Sequence, residues 1–168
     1  MRIAAPFGAF FAIAFGLLGC ANRVPVPSPE LQGKSVMSLR AELDSGRITS
    51  EALVRAYLER IEALDRQGPT LRAVLSINPD ALDQARALDA ELRQNGPRGL
   101  LHGIPILIKD NIETKDPVPT TAGSLALASN RTSRDAPVVA NLRAAGAVIL
   151  GKANLSEWAN FRSRDSIS

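Results

Sequence analysis

Apolar residues recur every three or four positions in four stretches of the chain, and this spacing predicts four amphipathic helices. In the second stretch, Leu53, Tyr57 and Ile61 fall on one side of the helix while Arg55 and Glu59 fall on another. A glycine follows each stretch, where it commonly ends a helix. The predicted helices are Val36–Ser45, Thr49 to just before Gly68, Pro79–Gln94 and Ala136–Ala145.

Three shorter runs are rich in apolar residues, a pattern typical of strands buried on both faces. They are Leu71–Ile77, Ile104–Ile108 and Ala147–Leu150. Residues 116–134 are rich in Pro, Thr, Ser, Asn and Gly and are predicted to form a loop. The order of elements predicts an α/β fold, in which N-terminal helices are followed by the start of a mixed, largely parallel sheet flanked by helices.

Residues 1–20 have the features of an export leader. A short basic start is followed by an uncharged apolar stretch that ends in Leu17-Leu18-Gly19-Cys20. This ending resembles the bacterial lipoprotein signal, in which the cysteine is lipidated and becomes the mature N-terminus. The resemblance implies an exported lipoprotein, anchored to the membrane through lipid on Cys20 and facing the periplasm. An ordinary leader or an uncleaved anchor is the alternative.

Residues 21–34 contain alternating prolines, which remove backbone donors and fix φ, so we expect an extended tether rather than a helix. Ala21 is not an aspartate, which favours the outer membrane if the source is Gram-negative. The predicted organisation is therefore a signal peptide at residues 1–20, a tether at 21–34, and one domain at 35–168.

Composition and charge exclude several classes of function. The chain has 168 residues, 45% of them hydrophobic and 22% charged, as in an ordinary globular domain. Its net charge is +3 with the basic residues scattered, which gives no indication of nucleic-acid binding. Cys20 and His102 are the only residues of their types, so neither an internal disulfide nor a Cys- or His-rich metal site is expected.

Lys109 follows the apolar run Ile104–Ile108 directly, and it is predicted to lie at the carboxyl end of a strand. Sites in open α/β sheets form at that edge. A lysine held there in an apolar pocket loses hydration, which favours its neutral amine and lets it act as a base. Alternatively, Lys109 simply extends to water. Asp110 and Asn111 either order the turn beside a site or are ordinary turn formers.

Four blocks of the chain resemble the amidase signature family. They are Gly99–Asn111, Pro119–Ser124, Asp135–Val139 and Gly146–Ala159. The resemblance implies that the protein hydrolyses a carboxamide of a small molecule with a Ser–cis-Ser–Lys triad, that Lys109 is the triad lysine, and that no metal or organic cofactor is needed. In this mechanism the lysine activates a serine nucleophile through a bridging serine.

The same resemblance suggests residues that border the substrate. Thr121, Gly123 and Ser124 belong to a loop packed beside the site, and Ser124 is not the family's nucleophile. Trp158 either borders an acyl pocket or packs in the core. His102 is interpreted as a structural residue near a turn.

Both triad serines of the family lie in a Gly- and Ser-rich segment, and no such run follows Lys109 in this sequence. We therefore expect residues 35–168 to be the N-terminal part of an amidase signature domain, and the chain to be a truncated amidase that is inactive by itself. A non-catalytic lipoprotein, truncated by gene decay or by an incorrect gene boundary, is the alternative. A protein that amidates charged transfer RNA carries the same signature, but an export leader argues against that cytoplasmic substrate.

The leader generates the first prediction. Expression in a bacterial host should yield a mature N-terminus at Cys20 carrying a diacyl or triacyl modification, which mass spectrometry detects. Cys20→Ser should remain an unprocessed, unacylated precursor because it lacks the thiol that is modified. An unmodified N-terminus elsewhere, or an uncleaved leader in the unaltered chain, would contradict the lipoprotein assignment.

Overall fold

A computed structural model describes residues 31–159. The predicted leader with Cys20, residues 21–30 of the predicted tether and residues 160–168 lie outside the described part. Its first two helices are α1 (Val36–Asp44) and α2 (Ser50–Ile61). Each begins with a hydroxyl cap, because the side chains of Ser35 and Thr49 accept hydrogen bonds of 3.1 Å from backbone amides in the first turn. Both helices were predicted within one or two residues at their N-termini.

The second helix runs on into a π-helical segment, Glu62–Arg66, before the chain turns at Gly68. The two later helices are α3 (Ala81–Asn95) and α4 (Pro137–Ala144). Pro137 occupies the first turn of α4, where its missing N–H costs nothing. Short helical turns occur at Leu125–Leu127 and Glu157–Ala159.

The sheet has three strands: β1 (Val74–Ile77), β2 (Pro105–Lys109) and β3 (Val148–Ala153). Their order in space is β1-β3-β2, with β3 in the centre. β2 pairs with β3 in parallel, whereas β1 pairs with β3 antiparallel. The predicted α/β class, with N-terminal helices and a mixed sheet, is therefore confirmed.

Helices cover both faces of the sheet. Val148 and Leu150 of β3 pack against α2 and α3 in one apolar cluster. Ile149 of β3 and Ile108 of β2 pack on the other face against Val139 of α4. Side chains alternate between the two faces along a strand, and this alternation explains why the predicted run Ala147–Leu150 is apolar throughout.

Most element boundaries lie within two residues of the sequence prediction, and three features differ by more. β1 begins at Val74 rather than Leu71, because Thr70 and Arg72 have positive φ values of 52°, which no strand residue adopts. β3 continues through Gly151, Lys152 and Ala153, so that a glycine and a lysine belong to a central strand. Leu31, assigned to the tether by sequence, is buried against α1.

Within residues 31–159, no helix is both long enough and apolar enough to cross a membrane.

Gly151 is required by the close approach of β1 and β3, since a Cβ there would overlap the carbonyl oxygen of Ser76. Gly151→Ala should therefore lower the free energy of unfolding by about 2 kcal/mol or more, as overpacking does in a tight interior. Gly99→Ala is the matched control, because its Cβ would lie an ordinary 3.7 Å from the nearest atom. Urea unfolding followed by circular dichroism measures both. Equal effects of the two substitutions would contradict this account.

Candidate functional site

Lys109 is the last residue of β2, at the carboxyl end of the parallel β2–β3 pair. This position is the one predicted from sequence. Its side chain is exposed, and among residues 31–159 it forms neither a hydrogen bond nor an ion pair. The ammonium is thus presented at the sheet edge where sites of open α/β folds form, free of a local partner that would hold it elsewhere.

Asp110 connects the end of β2 to the loop predicted to lie beside the site. Its side chain is fully buried and accepts hydrogen bonds from the Thr121 amide, at 3.0 Å, and from the Thr121 hydroxyl. Its backbone carbonyl accepts a further bond of 3.0 Å from the Ala122 amide. The residue that follows Lys109 therefore fixes the position of the 121–122 backbone.

The turn at residues 121–124 is tight and partly left-handed. Ala122 has a φ of 50° and Gly123 a φ of 74°. The left-handed region costs a non-glycine residue about 1 kcal/mol, so the surrounding hydrogen bonds must hold Ala122 there. The Thr121 hydroxyl accepts from the Gly123 amide at 3.1 Å, and the Thr121 carbonyl accepts from the Ser124 amide at 2.9 Å.

Trp158 reaches the same turn through its backbone, since its amide donates to the Ala122 carbonyl at 2.6 Å. A Cβ on Gly123 would lie 3.0 Å from the backbone of Glu157, so these two segments touch where the glycine is. The Trp158 side chain is 56% exposed, so its interpretation as a core residue is wrong for the described part of the chain. The structure thus brings Thr121, Gly123, Ser124 and Trp158 together beside the β2 end.

Lys152 is the feature of this region that the sequence analysis missed. It lies in β3, is completely buried, and donates hydrogen bonds of 2.7 Å to the Ile112 carbonyl and to the Thr120 hydroxyl. Its ammonium lies 3.7 Å from a carboxylate oxygen of Asp110. Burial lowers the pKa of Lys152, and the negative charge of Asp110 opposes that shift. Its place two residues after the apolar run Ala147–Leu150 was the only signal in the sequence, and that spacing does not indicate burial.

Arg143 of α4 fastens the long loop from the opposite side. Its guanidinium donates to Asp135 at 2.8 Å, to Thr114 at 3.1 Å and to the carboxylate of Asp116. The carboxamide of Asn78 also donates to Asp116, at 3.1 Å. These polar contacts, most of them sheltered from solvent, hold residues 114–135 against α4 and the start of α3.

His102 has a structural environment, as predicted. It is 1% exposed, its Nε2 lies 3.0 Å from the Leu88 carbonyl, and its Nδ1 accepts a hydrogen bond from the Arg98 amide. This arrangement fits the neutral tautomer with the proton on Nε2. No group of three or more His, Cys, Asp or Glu side chains suited to a metal ion occurs between residues 31 and 159.

The family profile described as "Amidase" matches residues 52–167, which include Lys109, the turn at 121–124 and Lys152. The chain therefore belongs to the amidase family, as the four sequence blocks predict.

Individual relatives agree with this assignment. The chain is 47% identical over 149 residues to a probable amidase of Arabidopsis thaliana, covering 87% of this chain and 28% of that protein. It is 48% identical over 138 residues to a glutamyl-tRNA(Gln) amidotransferase subunit of Chloroflexus aurantiacus, covering 82% and 28%. Among solved structures, a peptide amidase from Stenotrophomonas maltophilia superposes with a TM-score of 0.77 at 54% identity, covering 83% and 28%. The chain thus spans about 28% of the length of these relatives.

The Arg143 cluster generates a prediction about acid stability. Burial favours the neutral acid of Asp135, but hydrogen bonds from Arg143 and from the Lys115 amide outweigh it, so the pKa of Asp135 lies below its ordinary value. The ionised Asp135 carboxylate therefore adds to the free energy of unfolding above the unfolded-state pKa, about 3.9. This contribution is lost as the pH falls through the lower folded-state pKa.

Asp135→Asn should consequently lower the free energy of unfolding at pH 7 and make it depend less on pH below about 5. Urea unfolding at a series of pH values measures this. Asp80→Asn, which alters an exposed carboxylate with no ion pair among the described residues, serves as the control. An unchanged acid dependence in Asp135→Asn would contradict the assignment of this cluster.

Proposed function

We propose that this chain forms part of a carboxamide hydrolase in which Lys109 is the base of a Ser–cis-Ser–Lys triad. The observation that carries the proposal is the placement of Lys109 at the carboxyl end of β2, exposed and without a partner among the described residues, in a chain that belongs to the amidase family. A lysine tied into an ion pair would stay protonated, whereas an unpaired amine at a sheet edge is able to lose its proton when its surroundings become apolar.

The proposed reaction follows from that role. The neutral Lys109 amine accepts a proton from the bridging serine, which in turn accepts the proton of the nucleophilic serine. The nucleophilic oxygen attacks the carboxamide carbon, and backbone N–H groups of a Gly-rich turn stabilise the oxyanion. The amine product leaves with a proton, and water then hydrolyses the acyl-enzyme. No step calls for a metal or an organic cofactor.

The partners of Lys109 would come from sequence that this chain does not contain. β2 has a neighbour on one side only within the described sheet, so a further strand has room to pair beside it. We infer that the remainder of an amidase domain adds to this edge and supplies both serines. By itself, the 168-residue chain is therefore proposed to have no amidase activity.

The turn at residues 121–124 is proposed to form one wall of the substrate site, with Thr121, Gly123 and Ser124 shaping it and Trp158 offering an exposed apolar ring nearby. The similar structures include a peptide amidase with the competitive inhibitor chymostatin, and the similar sequences include amidotransferase subunits. Both kinds of relative are named for reactions of amides.

We also propose that the protein is an exported lipoprotein, anchored through Cys20, and that it acts on an amide outside the cytoplasm.

The proposal is tested by supplying the absent part of the domain. The chain joined to the C-terminal part of the Stenotrophomonas maltophilia peptide amidase should hydrolyse a peptide amide, measured as ammonia release. Lys109→Ala in this chimera should lower kcat/KM by at least about 1,000-fold, as the removal of a triad member does. Lys109→Arg should fail similarly, because a guanidinium stays protonated at neutral pH.

Lys115→Ala provides the matched control, since Lys115 is an exposed lysine in the adjacent loop. It should leave kcat/KM within about twofold of the parent. Full activity of the chimera carrying Lys109→Ala would overturn the assignment of the base. Turnover by the 168-residue chain alone would overturn the proposal that the serines lie outside it.

A further inference from the structure

The completely buried ammonium of Lys152 has no part in the reaction just described. Burial of a charged lysine is costly, so a lysine kept in a central strand is expected to make specific contacts there. Its three contacts all lie in the segment that follows β2: the Ile112 carbonyl, the Thr120 hydroxyl and the Asp110 carboxylate. One side chain from β3 therefore connects both ends of the loop between residues 110 and 120.

Lys152 and Lys109 lie on opposite faces of the sheet. Lys152 is the register partner of Ile108, and Lys109 is the register partner of Ala153. The register of the pair shifts by one residue between Ile106 and Leu107, so the alternation that puts Leu150 on the α2–α3 face is interrupted before Lys152. Register partners in a parallel pair share a face, and Ile108 packs against α4, so Lys152 projects on the α4 side while Lys109 projects on the other. Any influence of Lys152 on Lys109 must pass through Asp110 and the backbone.

The path between them is short. Asp110 is bonded to Lys109 through one peptide, its amide donates to the Ala153 carbonyl at 3.1 Å, and its side chain holds Thr121. One oxygen of the Asp110 carboxylate has no hydrogen bond within the described part of the chain, so the nearby ammonium is what balances its charge. Glu113 and Asp116 are the further carboxylates whose charge reaches Lys152.

We propose that Lys152 is a positioning residue, which holds Asp110, Ile112 and Thr120 from the α4 face of the sheet. These contacts fix the backbone of Lys109, whose side chain projects on the opposite face, and the turn at 121–124. We call the contacts of Lys152 with Asp110, Ile112 and Thr120 the Lys152 clamp. The consequence of this clamp for catalysis rests on the proposed function, whereas the clamp itself is independent of that function. Without Lys152, the Asp110 carboxylate is buried without a counter-charge, and the loop loses two hydrogen bonds.

The first experiment tests the clamp in the 168-residue chain. Lys152→Met keeps a long apolar stem and removes the charge and the donors. Hydrogen exchange of the Thr121 and Ala122 amides, both of which donate to Asp110, should accelerate at least about tenfold. Exchange of the Ala85 and Leu88 amides in α3 should change far less. Lys115→Met is the matched control and should leave all four amides unchanged.

A second variant covers the case in which Lys152→Met does not fold. Thr120→Val is nearly isosteric and removes only the hydroxyl that accepts from Lys152. It should accelerate exchange of the same two amides by a smaller factor. Unchanged exchange at Thr121 and Ala122 in whichever variant folds would overturn the clamp.

The second experiment tests positioning in the peptide amidase chimera. Lys152→Met, or Thr120→Val in its place, should lower kcat at least about tenfold with less than about a threefold change in KM. It should also move the acid limb of the pH profile of kcat/KM, because that limb reports the pKa of the catalytic base. A purely structural role would reduce the amount of folded enzyme and leave the profile of the remainder unmoved. An unmoved profile with unchanged kcat per folded molecule would therefore overturn the positioning role.

The two proposals fail in distinguishable ways. If the parent chimera is inactive, or if Lys109→Ala retains activity, the proposed function fails while the exchange measurement still decides the clamp. If Lys109→Ala abolishes activity and Lys152→Met leaves kcat and the pH profile unchanged, the function stands and the positioning role is wrong.

Discussion

The parallel pairing of β2 with β3 is the constraint on which the rest of this structure depends. It brings the carboxyl ends of both strands to one edge, so that Lys109 and Ala153 are register partners and the loop after each strand begins in the same place. The loop after β2 returns to this edge at Thr121, and the chain after β3 returns to it at Trp158. If the register of β2 against β3 slipped by one residue, every β2 side chain would move to the opposite face of the sheet. Lys109 would then point into the core.

The two lysines at this edge illustrate how burial decides chemical role. Each follows an apolar run, yet Lys109 is exposed and Lys152 is completely buried. Removing both ions of a buried pair from water costs several kcal/mol per ion, while charges about 4 Å apart attract by about 4 kcal/mol at an effective dielectric constant of about 20. The pair with Asp110 therefore contributes little net stability, and its value lies in restricting where the loop backbone is placed.

Much of this arrangement could be predicted from the sequence, and the missed parts share one cause. The order of elements and the position of Lys109 follow from apolar runs whose period matches helices and strands. The burial of Lys152 does not follow from such runs. It depends on residues 110–121 folding back over β3, and those residues have no periodic pattern. The Arg143 cluster was missed for the same reason, since Asp116 and Asp135 meet only after a long irregular loop has closed.

The strained turn completes the physical argument for a site at this edge. Ala122 is held in a left-handed conformation by bonds to Asp110 on one side and Trp158 on the other, while Gly123 approaches Glu157 too closely for a side chain. Such strain persists only where the surroundings over-determine the backbone, and it is concentrated at functional positions. Here the hydrogen bonds that restrict the start of the turn are accepted by Asp110, the residue next to Lys109. The rigidity of the turn and the placement of the lysine are therefore consequences of the same buried contacts.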